Sequence, residues 1–122
     1  MEEIKIAKGI KREDGLTISK AIIKAKNLIS KKRYKRALNY LKEVTEEQNL
    51  VHADLYYLQG EVYRLLEDHD SAIPFLLKSL KFEIYPLPAI KSLAMSYFEV
   101  GKYSKSCLLL EHYAKTAVNP LF

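Results

Sequence analysis

Residues 53–86 read ADLYYLQGEVYRLLEDHDSAIPFLLKSLKFEIYP, and the next 34 residues, 87–120, read LPAIKSLAMSYFEVGKYSKSCLLLEHYAKTAVNP. When one stretch is written above the other, small and aromatic residues coincide. The coinciding pairs are Gly60 with Ala94, Tyr63 with Tyr97, Ala72 with Ser106, and Leu76 with Leu110. A period of 34 residues is typical of a repeated pair of helices joined by a turn.

A third copy of this pattern precedes the other two. Residues 18–52 fit it with one additional residue, and the matching positions hold Ala25, Leu28, Ala37 and Leu41. Together the three copies predict helices over about residues 18–31, 34–48, 53–66, 69–82, 87–100 and 103–117.

The three copies resemble the tetratricopeptide repeat (TPR) family over about residues 18–120. The family pattern places small residues on both helices of a repeat, and a glycine and a tyrosine at the turn between them. The last copy carries this pattern as Ala94, Tyr97, Gly101, Tyr103 and Ser106. The first two copies depart from it, because Lys32 and Glu67 stand where the glycine is usual. The usual tryptophan is absent from all three copies.

The resemblance implies an all-α fold, a right-handed α-solenoid of three TPR helix–turn–helix repeats. The repeats would cover residues 18–52, 53–86 and 87–120, within a domain of residues 18–122 that follows an N-terminal segment or short helix, residues 1–17. The small residues would let paired helices approach closely, since larger ones would overpack the contact. The second helices carry apolar residues at helical spacing, among them Leu41, Leu76, Leu108 and Leu110.

Local signals refine the helix boundaries. Asp14 and Gly15 form a turn signal that predicts a break before the first repeat. Pro74 is expected in the first turn of its helix, where its missing N–H has the least effect. Asp68 or Asp70 is well placed to cap the same helix.

The composition excludes several classes of protein. Apolar residues make up 48% and charged residues 29%, which excludes a disordered chain. A single cysteine excludes a disulfide framework and a cysteine-rich zinc module. Neither a run of about 18 apolar residues nor a secretory signal occurs, so the expected location is cytoplasmic, with no membrane partner.

The residues that carry catalytic or metal chemistry do not form a motif. The four glycines are isolated, so no phosphate-binding loop is predicted. His52, His69 and His112 lack the spacing of metal ligands. Cys107 is expected to be a buried small apolar residue and not a nucleophile. The chain is therefore predicted to be no enzyme and to need no cofactor or metal.

The charge is divided unevenly along the chain. Residues 1–42 have a balance of +9 and residues 43–122 one of −4. The densest motif is KKRYKR, residues 31–36, which is predicted to form the turn of the first repeat. Three interpretations stay open for it: solvated turn residues, a surface for an acidic protein, or a contact for nucleic acid or membrane. The first is preferred, and nucleic acid is not a favoured partner.

The family resemblance also implies a concave groove lined by the first helices of the repeats. Carried onto this chain, the groove residues are Ile22, Ile23, Lys26, Ile29, Tyr57, Leu58, Glu61, Leu65, Lys91, Met95 and Phe98. TPR modules that clamp acidic tails use several cations in the groove, and here only Lys26 offers a comparable charge. The apolar remainder resembles small TPR chaperones and adaptors, which implies a protein or peptide partner with an apolar segment or amphipathic helix.

Other occupants of the exposed apolar surface remain open at this stage. The chain's own N-terminal segment could fill the groove through Ile4, Ile6 and Ile10. Alternatively, the chain is a structural subunit or a fragment of a larger TPR protein that assembles through exposed repeat ends. Leu121 and Phe122 would then contribute to a contact with a partner or a homo-oligomer.

Overall fold

The computed structural model describes residues 12–118, with side chains from residue 17 to residue 116. Six α-helices follow in order: α1 Arg12–Ser30, α2 Tyr34–Lys42, α3 Ala53–Leu65, α4 His69–Leu80, α5 Pro88–Glu99 and α6 Tyr103–Val118. One π-helical turn, Glu43–Glu47, continues α2. The described part contains helices and their connections only. The all-α prediction is confirmed, and five of the six helices begin within one residue of the predicted position.

The first helix begins earlier than predicted. It starts at Arg12 and continues without a break through Asp14 and Gly15, so the predicted turn is wrong. A glycine inside a helix costs about 1 kcal/mol relative to alanine, an amount that good helix formers on both sides offset. The predicted N-terminal helix face with Ile4, Ile6 and Ile10 lies outside the described residues, as do Leu121 and Phe122. The division at residue 17 stays a prediction.

The turns within the helix pairs share one backbone geometry. Lys32, Glu67 and Gly101 have positive φ angles of 61°, 64° and 86°. After each of them, an N–H donates to a carbonyl five residues earlier, which closes the helix end as a Schellman motif. These bonds run from Arg33 to Leu28 at 2.9 Å, from Asp68 to Tyr63 at 2.9 Å, and from Lys102 to Tyr97 at 2.8 Å. The three units therefore follow the register that the sequence alignment predicts.

Small residues allow close approach within each helix pair, as predicted. Ala25, Ala37 and Ala72 are inaccessible to solvent. A Cβ atom added to Gly60 would lie 2.6 Å from Cγ of Leu76, so α3 and α4 are in tight contact. In the third pair the Ser106 hydroxyl donates to the Ala94 carbonyl at 2.8 Å. The serine that replaces the usual alanine thus satisfies its own hydroxyl inside the contact.

Two apolar clusters form the core. The first joins α1 and α2 to α3, and its buried members include Ala25, Leu41 and Leu55. The second joins α4 to α5 and includes Leu76 and Leu93. Tyr57 packs against both clusters, so it connects the first repeat to the third. Each helix pair buries its apolar face on its neighbour, which is how a stacked repeat obtains a continuous core.

The fourth helix shows one confirmed and one incorrect local prediction. Asp68 is the N-cap residue of α4, and its carboxylate accepts from the Ser71 N–H at 3.3 Å. Pro74 lies inside the helix, beyond the first turn, so the predicted position was wrong. There the proline ring leaves the Asp70 carbonyl without its usual helical donor.

The last helix is more exposed than its sequence predicts. Cys107 is exposed, contrary to its predicted burial, and Leu108 is 66% exposed. Leu110 is 43% exposed, although its counterpart Leu76 is fully buried. The physical reason is that α4 is covered by α5, whereas no described helix packs on the outer side of α6.

Candidate functional site

A cavity of about 500 Å³ opens between α1 and α3, and Pro86 and Pro88, the latter at the start of α5, also line it. We call it the groove cavity. Its lining residues are Lys26, Ile29, Ser30, Asp54, Tyr57, Leu58, Glu61, Leu65, Pro86 and Pro88. The first helices of two repeats supply most of the wall. This follows from the fold, because the second helices of those repeats lie behind them.

Six of the eleven predicted groove residues line this cavity: Lys26, Ile29, Tyr57, Leu58, Glu61 and Leu65. The other five, Ile22, Ile23, Lys91, Met95 and Phe98, are not part of it. Ile22 packs against the first core cluster, whereas Ile23 is 68% exposed on α1. Met95 shares a smaller depression of about 340 Å³ with Leu65, and Phe98 packs edge-on against Tyr103.

Leu58 belongs both to the cavity wall and to the apolar core. It lines the groove cavity, yet it is only 4% exposed and belongs to the first core cluster. Leu65, by contrast, is exposed at the end of α3. A polar substitution at Leu58 would therefore change the stability of the fold. A polar substitution at Leu65 would change the groove cavity and leave the core intact.

A hydrogen-bonded group of polar side chains surrounds Glu61, which lines the cavity. The Ser92 hydroxyl of α5 donates to Oε1 of Glu61 at 2.6 Å. Arg64 donates to the same oxygen through Nε at 3.0 Å and forms an ion pair with the other oxygen. The hydrogen bond to Glu61 raises the pKa of Arg64 above its ordinary value. Both charges are thus compensated, and Ser92 ties the second repeat to the third.

Tyr57 forms a neutral part of the wall. Burial raises the pKa of the Tyr57 phenol above its ordinary value, and the nearby Glu61 carboxylate makes a smaller contribution in the same direction. The phenol therefore stays protonated at neutral pH. It presents an apolar ring together with a hydroxyl that can donate a hydrogen bond.

Pro86 belongs to the cavity although the sequence did not predict it there. The prolines at positions 86 and 88 indicate a boundary between two repeats. That signal predicts that α4 ends before residue 86. It does not predict that the connection between α4 and α5 folds towards α1. A turn of irregular backbone over residues 81–87 brings Pro86 to the cavity.

The arrangement suits the binding of apolar side chains. Ile29, Leu58, Leu65 and the two prolines present carbon surfaces, and the Glu61 carboxylate is already paired. Within residues 12–118, His, Cys, Asp and Glu side chains form no group that could hold a metal ion. No helix in that range is long and apolar enough to cross a membrane.

The stacked helix pairs define an all-α helical repeat protein whose first helices line a groove. Residues 53–83, which include α3 and α4, match the family model described as tetratricopeptide repeat, so this segment is a TPR. The helix pairs on either side repeat its turn geometry. A comparison with curated proteins finds no match. A TPR is a protein–protein interaction module, and the partners that it implies are proteins.

Proposed function

We propose that the chain binds an apolar peptide, or the apolar face of an amphipathic helix, in the groove cavity, as an adaptor or chaperone in the cytoplasm. The observation that carries the proposal is the cavity of about 500 Å³ walled by Ile29, Leu58 and Leu65. On this proposal the chain acts by binding and is not an enzyme.

The size of the cavity fits such a partner. Sites that hold organic ligands measure about 300–1,000 Å³ and are mostly apolar with a few polar groups. An apolar side chain that is buried in the cavity contributes about 1.5–3 kcal/mol through loss of its contact with water. A helix reaches such a wall with side chains spaced three, four and seven residues apart. A few anchors of this kind are sufficient for specific binding.

The charges at the cavity are expected to determine the direction in which a peptide binds more than they determine its affinity. Glu61 and Arg64 neutralise each other, so neither needs a charged partner. Lys26 and Asp54 supply one charge of each sign, and neither forms an ion pair among the described residues. Opposite charges on a bound peptide would pair with them and select one direction of binding.

The test starts from a peptide selected by display of random sequences against the immobilised chain. The affinity of the labelled peptide is then measured for the wild type and for Leu65→Glu. Leu65 is 36% exposed, so the fold should tolerate the carboxylate, whereas an apolar anchor should lose at least about tenfold in affinity.

Leu108→Glu is the matched control. It makes the same chemical change at a leucine on α6 that does not line the cavity. The control should bind as the wild type does. The proposal fails if Leu65→Glu binds as well as the wild type, or if the selection returns no apolar peptide.

A second candidate function rests on the outer side of α6. Within the second repeat, Ile73, Leu76 and Leu80 belong to the cluster packed on α5. The corresponding positions on α6 are Cys107, Leu110 and Ala114, and all three are exposed. A structural subunit, or a fragment of a larger TPR protein, would assemble through this end, either with a partner or as a homo-oligomer.

Ala114→Glu tests this second candidate. The residue is small, exposed and helical, so glutamate should leave the fold intact while it places a charge on the bare end. Light scattering after size exclusion would show assemblies for the wild type and a monomer of about 14.1 kDa for the variant. Identical masses for both proteins would exclude assembly through this face.

A further inference from the structure

The turn between α1 and α2 forms a basic pocket that shares no lining residue with the groove cavity. We call residues 31–36 the basic turn. Its open cavity has a volume of about 580 Å³. The lining residues are Lys32, Arg33, Tyr34, Lys35, Arg36 and Leu66.

The cations of the basic turn are unpaired within the described part of the chain. Its lysine and arginine side chains form no ion pair there. The backbone is nevertheless held firmly, because the Lys32 N–H donates to the Ile29 carbonyl at 2.8 Å and the Arg33 N–H donates to the Leu28 carbonyl at 2.9 Å. Four of the positive charges are therefore presented together around one cavity, those of Lys32, Arg33, Lys35 and Arg36.

This concentration of charge opposes local stability. In the second repeat, Asp68 caps the following helix through the Ser71 N–H. Arg33 occupies the corresponding place in the first repeat, and its side chain makes no cap hydrogen bond. Lys35 and Arg36 then lie in the first turn of α2, where the helix dipole favours acidic residues. Such departures from local preference are expected at functional or strained sites, and in this repeat they coincide with a basic pocket.

We propose that the basic turn binds a short acidic segment of a protein partner, one that also carries an apolar side chain. The cations would pair with carboxylates, since charge-assisted hydrogen bonds are strong. Half-buried Tyr34 and exposed Leu66 supply the apolar wall of the pocket. The pocket shares no lining residue with the groove cavity, and the proposal does not rest on the function proposed for that cavity.

The surroundings favour a short acidic peptide over nucleic acid. Leu66 is followed directly by Glu67, Asp68 and His69, and Asp70 comes next. These carboxylates repel a long polyanion that continues past the pocket. A peptide that is acidic only where it meets the basic turn avoids this repulsion, and its apolar residue contacts Leu66.

Arg33→Asp is the decisive variant. An aspartate at position 33 can cap α2 as Asp68 caps α4, so the thermal midpoint should rise while the pocket loses one of its cations. The probe is a short fluorescein-labelled peptide in which glutamates flank one leucine, followed by fluorescence anisotropy. Binding to the variant should be weaker by about tenfold or more, and binding to the wild type should weaken as salt is added.

Lys102→Asp is the matched control, because Lys102 occupies the same turn position in the third repeat and undergoes the same change of charge. Its affinity should equal that of the wild type. Lys35→Gln/Arg36→Gln removes two cations without introducing a cap and should weaken binding as well. Since a raised midpoint proves that Arg33→Asp is folded, its loss of binding cannot come from unfolding.

Three results would overturn the proposal. The first is the absence of saturable binding of the peptide to the wild type. The second is an equal loss of affinity in Arg33→Asp and Lys102→Asp, which would reveal only an effect of net charge. The third is tighter binding of a single-stranded oligonucleotide of equal charge, which would assign the basic turn to nucleic acid instead.

Discussion

Gln59 carries a buried side-chain amide without a partner among the described residues. The residue is 1% exposed, and both Nε2 and Oε1 lack a hydrogen bond. The corresponding residue of the third repeat is Leu93, which belongs to the second core cluster. Burial of an unpaired polar group costs about 1–3 kcal/mol.

Gln59→Leu should therefore raise the free energy of unfolding by about 1–2 kcal/mol. Urea unfolding, followed by circular dichroism, measures the change. The reverse substitution, Leu93→Gln, should lower stability by a similar amount or more. A less stable Gln59→Leu protein would show that the amide contributes favourably and would contradict this account.

Lys32 and Glu67 adopt a backbone conformation that favours glycine. Both have positive φ angles close to the left-handed helical value, and Gly101 occupies the same place in the third repeat. Lys32→Gly, or Glu67→Gly, should raise stability by about 0.5–1 kcal/mol, because the strain of the side chain outweighs the added freedom of the unfolded chain.

Gly101→Ala provides the opposite test in the third turn and should lower stability by about 1 kcal/mol. Thermal unfolding of the three variants measures these differences. Equal midpoints for all of them would mean that the turns are not held in the left-handed region. The alignment predicted these glycine positions, but it could not predict that lysine and glutamate would adopt the same φ as glycine.

At the scale of the helices, α4 is weakened by Pro74. The residue is exposed, so its side chain contributes little to packing, while its ring removes one bond of the helical ladder. Pro74→Ala should raise the free energy of unfolding by about 1 kcal/mol or more. Chemical unfolding gives the value, and a less stable variant would mean that the proline supports a bend that the fold requires.

The contact between α3 and α4 depends on Gly60. A Cβ atom there would lie 2.6 Å from Cγ of Leu76 and 3.1 Å from its backbone nitrogen. The side chain could turn aside, but the backbone could not, so overpacking should cost about 1–3 kcal/mol. Alanine regains about 1 kcal/mol as the better helix former, so Gly60→Ala should lower the free energy of unfolding by up to about 2 kcal/mol. A variant with wild-type stability in urea would show that these helices are farther apart than described.

Helix boundaries were the most predictable feature of this chain. The repeat pattern predicted a helix over residues 53–66, and α3 covers Ala53–Leu65. The start of α1 was missed because Asp14 and Gly15 form a local turn signal that the flanking helix formers override. The burial of α6 was misjudged because periodicity predicts an apolar face without showing whether a neighbouring helix covers it.

At the scale of the whole molecule, the stack places α1 and α3 on the two sides of the groove cavity, and α5 contributes its first residue, Pro88. The resemblance implied which face of α1 and α3 lines it, and six predicted residues do line the groove cavity. The remaining lining of the cavity could not be predicted, because the family positions specify which face of a helix is concave and not how strongly the stack curves. Phe98 and Ile23 thus lie outside the cavity, and Pro86 lies inside it.

The most direct test of the groove is a nuclear magnetic resonance titration of the isotope-labelled chain with the apolar peptide obtained by selection. The account predicts that the largest amide shift changes cluster in residues 26–30 and 54–65 and at residue 87, around the groove cavity. Changes confined to α6 or to the basic turn, or no changes at saturating peptide, would contradict it.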